Sequence, residues 1–124
     1  NQNSFPELLK ILKSLIIRNQ RNKDINNLYK YIFERFNLES ILDLYDKNDR
    51  LLIQLSYSEY KFLIEDFPEA EILASNNIKE AEILIRDKET EDIGWLIAKR
   101  SLGLFTQIDL ARNNLTNLIN KLIT

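Results

Sequence analysis

Apolar residues recur at helical spacing along most of the chain. Residues 4–7 (Ser-Phe-Pro-Glu) predict a helix start, with Ser4 and Glu7 as a capping box and Pro6 in the first turn. The polar segment 18–23 predicts a loop, and Asp24 is the predicted cap of the next helix. That helix has apolar residues at i, i+3, i+4, i+7, i+8 and i+11, which are Ile25, Leu28, Tyr29, Ile32, Phe33 and Phe36.

The middle of the chain predicts shorter elements. Asn37 is the predicted cap of a short helix, and residues 47–49 predict a turn. Residues 51–55 are either a short strand or an apolar helical turn, because periodicity cannot separate the two over five residues. Ser58 is the predicted cap of another helix.

The remaining segments also carry helix start signals and helical periodicity. Pro68 predicts the first turn of a short helix that ends near Ala74, and residues 76–77 (Asn-Asn) predict a turn. Residues 78–86 predict a helix, and Thr90 is the predicted cap of the next one. The apolar sets of the last two predicted helices are Ile93, Leu96, Ile97 and Leu104, then Ile108, Leu110, Ala111, Leu115, Leu118, Ile119 and Leu122.

These elements predict an all-α fold, in which a single domain spans residues 1–124 as a compact bundle of about six to eight short helices. Only two glycines and two prolines occur, too few for an all-β protein with many tight turns. The sequence shows no internal repeat, linker or low-complexity segment. We therefore expect one helical core without a second domain.

The composition excludes several classes of chemistry. Cysteine, histidine and methionine are absent. Zinc fingers, iron–sulfur clusters, Ser-His-Asp triads and histidine acid–base catalysis are therefore excluded. We expect no bound metal or other cofactor, and a non-catalytic protein rather than a conventional enzyme.

No apolar run approaches the roughly 20 residues of a membrane span, and the amino-terminal residues do not have the pattern of a signal peptide. The expectation is accordingly a cytoplasmic protein without a membrane partner.

The formal net charge of −2 conceals a strong asymmetry along the chain. Residues 1–36 carry seven basic and three acidic side chains, and residues 93–124 carry four basic and one acidic. Between them, residues 37–92 carry six basic and fifteen acidic side chains. Such a distribution indicates an anionic partner at one face of the molecule.

The basic segments contain the candidate binding residues. Arg18, Arg21 and Lys23 lie in the predicted loop, and Lys99 lies at i+4 from the single tryptophan, Trp95, with Arg100 next to it. An aromatic ring beside two cations is typical of a stacking platform with phosphate neutralisers. A core position for the tryptophan and a solvated loop are the alternative interpretations of the same residues.

The carboxylates of the chain offer a different candidate site. The acidic middle contains clustered side chains that could bind Mg²⁺ or perform acid–base catalysis, as in a carboxylate-dependent hydrolase. No calcium-loop spacing and no glycine-rich phosphate loop accompany them. A solvated acidic face, or one that docks on a basic partner, is the favoured interpretation of Glu65, Asp66, Glu69, Glu71, Glu80, Glu82, Asp87, Glu91 and Asp92.

The first 45 residues resemble the carboxy-terminal domain of the large subunit of archaeal and eukaryotic DNA primase. The resemblance rests on a proline at the head of a helix, a basic loop, an aromatic helix and a Leu-x-Glu-x-x-Leu helix. The matching segments are Phe5-Pro6-Glu7-Leu8-Leu9, Arg18-Asn19-Gln20-Arg21-Asn22-Lys23, Tyr29-Lys30-Tyr31-Ile32-Phe33 and residues 37–45 (Asn-Leu-Glu-Ser-Ile-Leu-Asp-Leu-Tyr). About a third of the chain is covered.

One departure from that family is large. The family ligates a 4Fe–4S cluster through four cysteines and carries a loop histidine, and this chain has neither residue type. The PriX-like small third subunits of crenarchaeal primase look like the same domain without its cluster. Their length class and all-α character are similar to those of this chain.

The resemblance implies a non-catalytic primase subunit that holds the initiating nucleotide and the template during primer initiation. It implies nucleoside triphosphate, single-stranded DNA and the catalytic and large primase subunits as partners. Tyr29 and Trp95 are the candidates for base stacking, and Arg18, Arg21, Lys23, Lys99 and Arg100 are the candidates for phosphate contact. The alternative is a helical protein-interaction module, such as an adaptor or immunity-type protein, with no nucleic-acid role.

Overall fold

The computed structural model describes residues 4–18 and 22–123, and within them it contains six α-helices and no strand. The expected all-α fold is confirmed, although several helices are longer than the sequence indicates. The helices are α1 (Phe5–Ile17), α2 (Lys23–Arg35), α3 (Leu38–Leu42), α4 (Lys47–Leu63), α5 (Phe67–Ile85) and α6 (Glu91–Ile123).

The starts of α1 and α2 correct two predicted caps. Pro6 lies in the first turn of α1, but the Ser4 side chain accepts no capping hydrogen bond, so the expected capping box is not formed. Asn22, and not Asp24, caps α2: its Oδ1 accepts from the backbone N–H of Asp24 at 3.1 Å and of Ile25 at 3.2 Å. At α3 the prediction is confirmed, because the Asn37 side chain accepts from the N–H of Glu39.

Helix α4 replaces three predicted elements. Asp46 caps it by accepting from the N–H of Asp49 at 2.9 Å, so the predicted turn at 47–49 is the first helical turn. The ambiguous segment 51–55 is helical. Ser58 is wrong as a cap, because it lies buried inside α4 and its hydroxyl donates to the Leu55 carbonyl at 2.6 Å. Burial of apolar residues on a helical face therefore overrides the local cap and turn signals.

Helix α5 likewise continues through a predicted turn. Asp66 caps it, and Pro68 lies in its first turn as the sequence indicates. Asn77 is buried rather than in a turn, and its amide lies 3.5 Å from the Gln54 carbonyl and 3.5 Å from the Ser58 hydroxyl. Polar partners from α4 therefore satisfy a side chain that in isolation favours a turn.

Two predicted helices merge into α6, which runs for 33 residues. Residues 105–107 (Phe-Thr-Gln) between their apolar sets contain no glycine or proline, so nothing interrupts the helix. Thr90 precedes α6, and its hydroxyl donates to the Leu84 carbonyl at 2.8 Å, which secures the α5–α6 connection.

The core has a main and a smaller part. The main part is buried between α1, α2, α4, α5 and the first half of α6, and it includes Leu12, Ile16, Ile32, Leu52 and Ile97. The smaller part joins α5 to the middle of α6 and consists of Ala70, Ala74, Leu104 and Ile108.

Helices α5 and α6 approach most closely at Gly94. A Cβ atom built there would lie 2.9 Å from the Ile85 nitrogen and from Leu84 Cβ. The missing side chain thus allows the two helices to meet just after their connection.

None of the helices in 4–18 and 22–123 combines the length and the apolar character needed to cross a bilayer.

Candidate functional site

A buried polar network connects three helices at the centre of the molecule. Arg100 on α6 donates through Nε to Glu59 Oε2 at 3.1 Å and through Nη2 to Glu59 Oε1 at 2.7 Å. The Tyr29 hydroxyl of α2 donates to Glu59 Oε1 at 2.5 Å and accepts from Arg100 Nη2 at 3.2 Å. All three side chains are buried, so α2, α4 and α6 share one neutralised polar cluster.

The network sets the ionisation of its members. Burial lowers the pKa of Arg100, but the hydrogen bond and the charge of Glu59, together with Tyr29, outweigh it and raise the pKa above the ordinary value. The guanidinium therefore stays charged inside the protein. The pair stabilises only the arrangement of the three helices that keeps its members in contact. Any arrangement that separates them leaves an unpaired charge in the core.

Two predicted binding residues, Tyr29 and Arg100, belong to this buried network, so their predicted contact with a ligand is wrong. Tyr29 has no exposed surface, and Arg100 is 6% exposed. Neither presents a ring face or a guanidinium to a ligand at the surface. The sequence signal failed because Arg100 lies beside Lys99, and adjacent helical positions point about 100° apart.

Trp95 and Lys99, by contrast, lie together on the exposed face of α6. The Trp95 side chain is 50% exposed. Both residues line one open cleft with Asp92 and Leu96. Lys99 forms no ion pair or hydrogen bond with any residue in the described ranges. An exposed indole and a cation one turn apart can stack on a planar group and neutralise an anion attached to it.

Of the three cations in the predicted basic loop, the structure describes the two at its ends, Arg18 and Lys23. Arg18 is the C-cap of α1 and Lys23 is the first residue of α2, and both side chains are exposed. Arg21 lies outside the described residues. Asn22 already occupies two N–H groups at the start of α2, so the flanking cations, rather than free helix N–H groups, are what this end of the helix offers to an anion.

A second cleft was not predicted. It is lined by residues of the α3 end, of α4 and of α5, which are Leu42, Asp43, Lys47, Arg50, Leu51, Gln54 and Glu80. The sequence pattern missed this cleft because Lys47 falls in the predicted turn at 47–49. The signal that could have found it is the i, i+3, i+7 spacing of Lys47, Arg50 and Gln54, which places them on one helical face.

The carboxylates are dispersed rather than gathered. Asp66 lies 3.8 Å from Lys61, Glu80 lies 3.7 Å from Lys47, and Glu71 pairs with Arg112. In the part of the chain that the structure describes, no group of three or more Asp or Glu side chains has a geometry that could hold a metal ion. Apart from the buried Glu59, the acidic middle is thus arranged as separate charges, several of them in ion pairs.

Comparisons with protein-family models, with curated proteins and with solved structures find no match to this chain. The resemblance to primase therefore rests on the sequence pattern alone.

Proposed function

We propose that the chain is a non-catalytic accessory subunit of a DNA primase, which contacts nucleotide and single-stranded template during primer initiation. The observation that carries the proposal is the exposed cleft of Trp95 and Lys99. Tyr29 and Arg100 are left out of it, since both are buried in the Glu59 network. The catalytic and large primase subunits remain the proposed partners.

The cleft suggests an orientation for the ligand. A base stacks on the indole of Trp95, and stacking of this kind is tolerant of sequence. The phosphate lies toward Lys99, because the carboxylate of Asp92 at the other end of the cleft repels it. Arg18 and Lys23 supply further exposed cations, and Arg21 lies between them in the sequence. Initiation joins two free nucleotides, so positioning is the main contribution such a subunit can make.

The single tryptophan makes the proposal directly testable. Because Trp95 is the only tryptophan, fluorescence excited at a wavelength that tyrosine does not absorb reports on this cleft and on no other part of the chain. Titration with a short oligothymidylate or with a nucleoside triphosphate should quench the fluorescence. Lys99→Ala should weaken binding about 10-fold, equivalent to loss of one charge-assisted contact. It should also make the logarithm of the binding constant for single-stranded DNA fall less steeply with the logarithm of the salt concentration. The change in slope should correspond to about one lost phosphate contact.

Lys79→Ala is the matched control, because Lys79 is an exposed lysine of α5 outside this cleft. It should bind like the unmodified protein. An unquenched tryptophan at millimolar nucleotide and at high oligonucleotide concentration, in low salt, would contradict the proposal.

A second candidate function is the helical protein-interaction module without a nucleic-acid role. It is favoured by the carboxy-terminal part of α6, where Leu118, Leu122 and Ile123 are more than half exposed. An unchanged tryptophan signal together with a stable complex with another protein would select this candidate over the primase subunit.

A further inference from the structure

Helix α6 extends well beyond the helices that it packs against. An ion pair between Arg112 and Glu71 joins it to the body near the start of α5. Every described side chain from 112 to 123 is exposed. At about 1.5 Å per residue, the eleven residues 113–123 extend about 16 Å past that ion pair. We call residues 111–123 the α6 extension.

The extension continues the apolar seam that α6 uses inside the bundle. Leu104 and Ile108 are buried in that seam, in contact with α5. The seam then runs through Ala111, Leu118 and Leu122, at steps of three, seven and four residues from Ile108, which is the spacing of a heptad pattern. Leu118 is 55% exposed and Leu122 is 79% exposed. The same stripe is therefore covered by α5 in the body and uncovered beyond it.

The seam of the extension is uncharged. Arg112, which pairs with Glu71, and Lys121 are the two charged residues among residues 111–123, and both lie beside the seam positions. No seam position therefore carries a charge that would select an acidic or a basic partner. A second copy of the seam is complementary to it, because two apolar seams related by a two-fold axis can face each other without placing a charge opposite its own copy.

The direction of the occupant follows from α5. Helix α5 runs antiparallel to α6, since Gly94 meets the end of α5 and Arg112 meets its beginning. A helix that lies in line with α5 along the extension and keeps its direction is likewise antiparallel to α6. The extension of a second copy meets this requirement, and the two bundles then lie at opposite ends of the pair. A parallel pair would bring both bundles to the same end, where α5 already occupies the groove.

We propose that the α6 extension forms the interface of an antiparallel homodimer, in which each extension covers the exposed seam of the other. In the layered packing of antiparallel heptads, Leu122 of one copy lies opposite Ala111 of the second copy. Lys121 lies opposite Asn114, and Arg112 lies opposite Ile119, so no like charges meet. The inference is independent of the proposed nucleotide contacts, which use the opposite face of α6.

The interface is at the small end of the size range, so the dimer should dissociate on dilution. Sedimentation velocity of the full chain over a dilution series from about 1 mM to about 1 µM, which spans the affinities of small interfaces, should show a shift from twice 14.7 kDa to 14.7 kDa. Leu118→Glu and Leu122→Glu should each weaken dimerisation by at least about 100-fold, since each places an unpaired carboxylate in a desolvated apolar seam. Both residues are exposed in the monomer, so circular dichroism should stay unchanged.

Leu110→Glu is the matched control. Leu110 is 57% exposed, much like Leu118, but lies about 120° around the helix from the seam. This variant should dimerise like the unmodified chain. A monomer at every concentration, or equal loss of dimer in Leu110→Glu and Leu118→Glu, would overturn the proposal.

Orientation is tested by cross-linking, which is simple in a chain without cysteine. When Ala111→Cys and Leu122→Cys proteins are mixed and oxidised, the covalent dimer should contain one chain of each. Efficient cross-linking of Leu122→Cys with itself, without the mixed product, would show a parallel pair and refute the antiparallel arrangement.

Discussion

Glu59 and Arg100 form a bidentate ion pair in the interior of the protein, although they lie 41 positions apart in the chain. Both side chains are almost fully buried. The pair joins α4 to α6, and Tyr29 adds α2 through its hydroxyl. A buried pair of this kind gains little over apolar packing, but it strongly penalises any arrangement that separates its members. It therefore specifies how the three helices align.

Removing one member of the pair should destabilise the protein severely. We expect Arg100→Met and Glu59→Leu each to lower the free energy of unfolding by about 3–5 kcal/mol, because each leaves an uncompensated buried charge. The double variant should lose much less than the sum, since no charge remains unpaired. Urea unfolding followed by circular dichroism measures all three. Strictly additive losses would show that the pair does not act as a unit.

The Tyr29 hydroxyl should contribute measurably to the same network. Tyr29→Phe should lower the free energy of unfolding by about 1.5–3 kcal/mol, the usual range for a hydrogen bond to a charged group. Tyr31→Phe on the same helix is the control, because its ring lies 4.0 Å from the Arg35 guanidinium carbon and keeps that contact without the hydroxyl. It should change stability by less than about 0.5 kcal/mol. Equal effects of the two changes would argue against the network.

The two glycines of α6 should respond in opposite ways to alanine. Gly94→Ala should cost about 1–3 kcal/mol, because the new Cβ would lie 2.9 Å from the Ile85 nitrogen, and backbone cannot move aside easily. Gly103→Ala should stabilise by about 0.5–1 kcal/mol through helix propensity. Nothing lies within 4 Å of a Cβ built at Gly103. Thermal unfolding of both variants tests the close approach of α5 and α6, which a stabilising Gly94→Ala would rule out.

The turn between α4 and α5 should become more stable with glycine. Glu65 has a φ of 64°, and the adjacent N–H of Asp66 donates back to the Lys61 carbonyl at 2.9 Å. This is the left-handed helix ending in which glycine is usual. Glu65→Gly should raise the free energy of unfolding by about 1 kcal/mol, whereas Glu65→Ala keeps the strained φ and should not. Chemical denaturation compares them, and a less stable glycine variant would contradict the expectation.

Stability should fall in alkaline solution. Burial, and then the charge of Asp49, raise the pKa of Tyr45 above 10.0, so the folded protein favours the neutral phenol. Its contribution is fully present below the unfolded pKa and is lost as pH rises through the folded pKa. Lys61 acts in the same direction: burial lowers its pKa, but Tyr57 and nearby carboxylates raise it above 10.5.

The melting temperature should therefore change little between about pH 6 and 9, where no histidine titrates, and decline above about pH 10. Tyr45→Phe should make the alkaline decline shallower. A decline of unchanged steepness in this variant would exclude a contribution from Tyr45.

Several site residues show how far sequence reasoning extends. Trp95 and Lys99 were predicted to share a face from their i+4 spacing, and both line the same exposed cleft. Tyr29 was predicted to stack on a base and Arg100 to contact phosphate, and both are buried. The apolar stripe of the Tyr29 helix was the correct guide to its position. The partner that joins the two side chains, Glu59, lies 30 positions from one and 41 from the other, and no local pattern connects it to them.

Helical periodicity was enough to determine the all-α class. Each helix buries an apolar stripe, and the residues of that stripe recur every three or four positions within one short segment of the sequence. Cap and turn residues were less informative. Asn22, Ser58 and Asn77 have similar local preferences, yet one caps a helix and two lie buried inside helices. What decided between these outcomes was the availability of hydrogen-bond partners and apolar surface from distant helices, which exists only after the chain has packed.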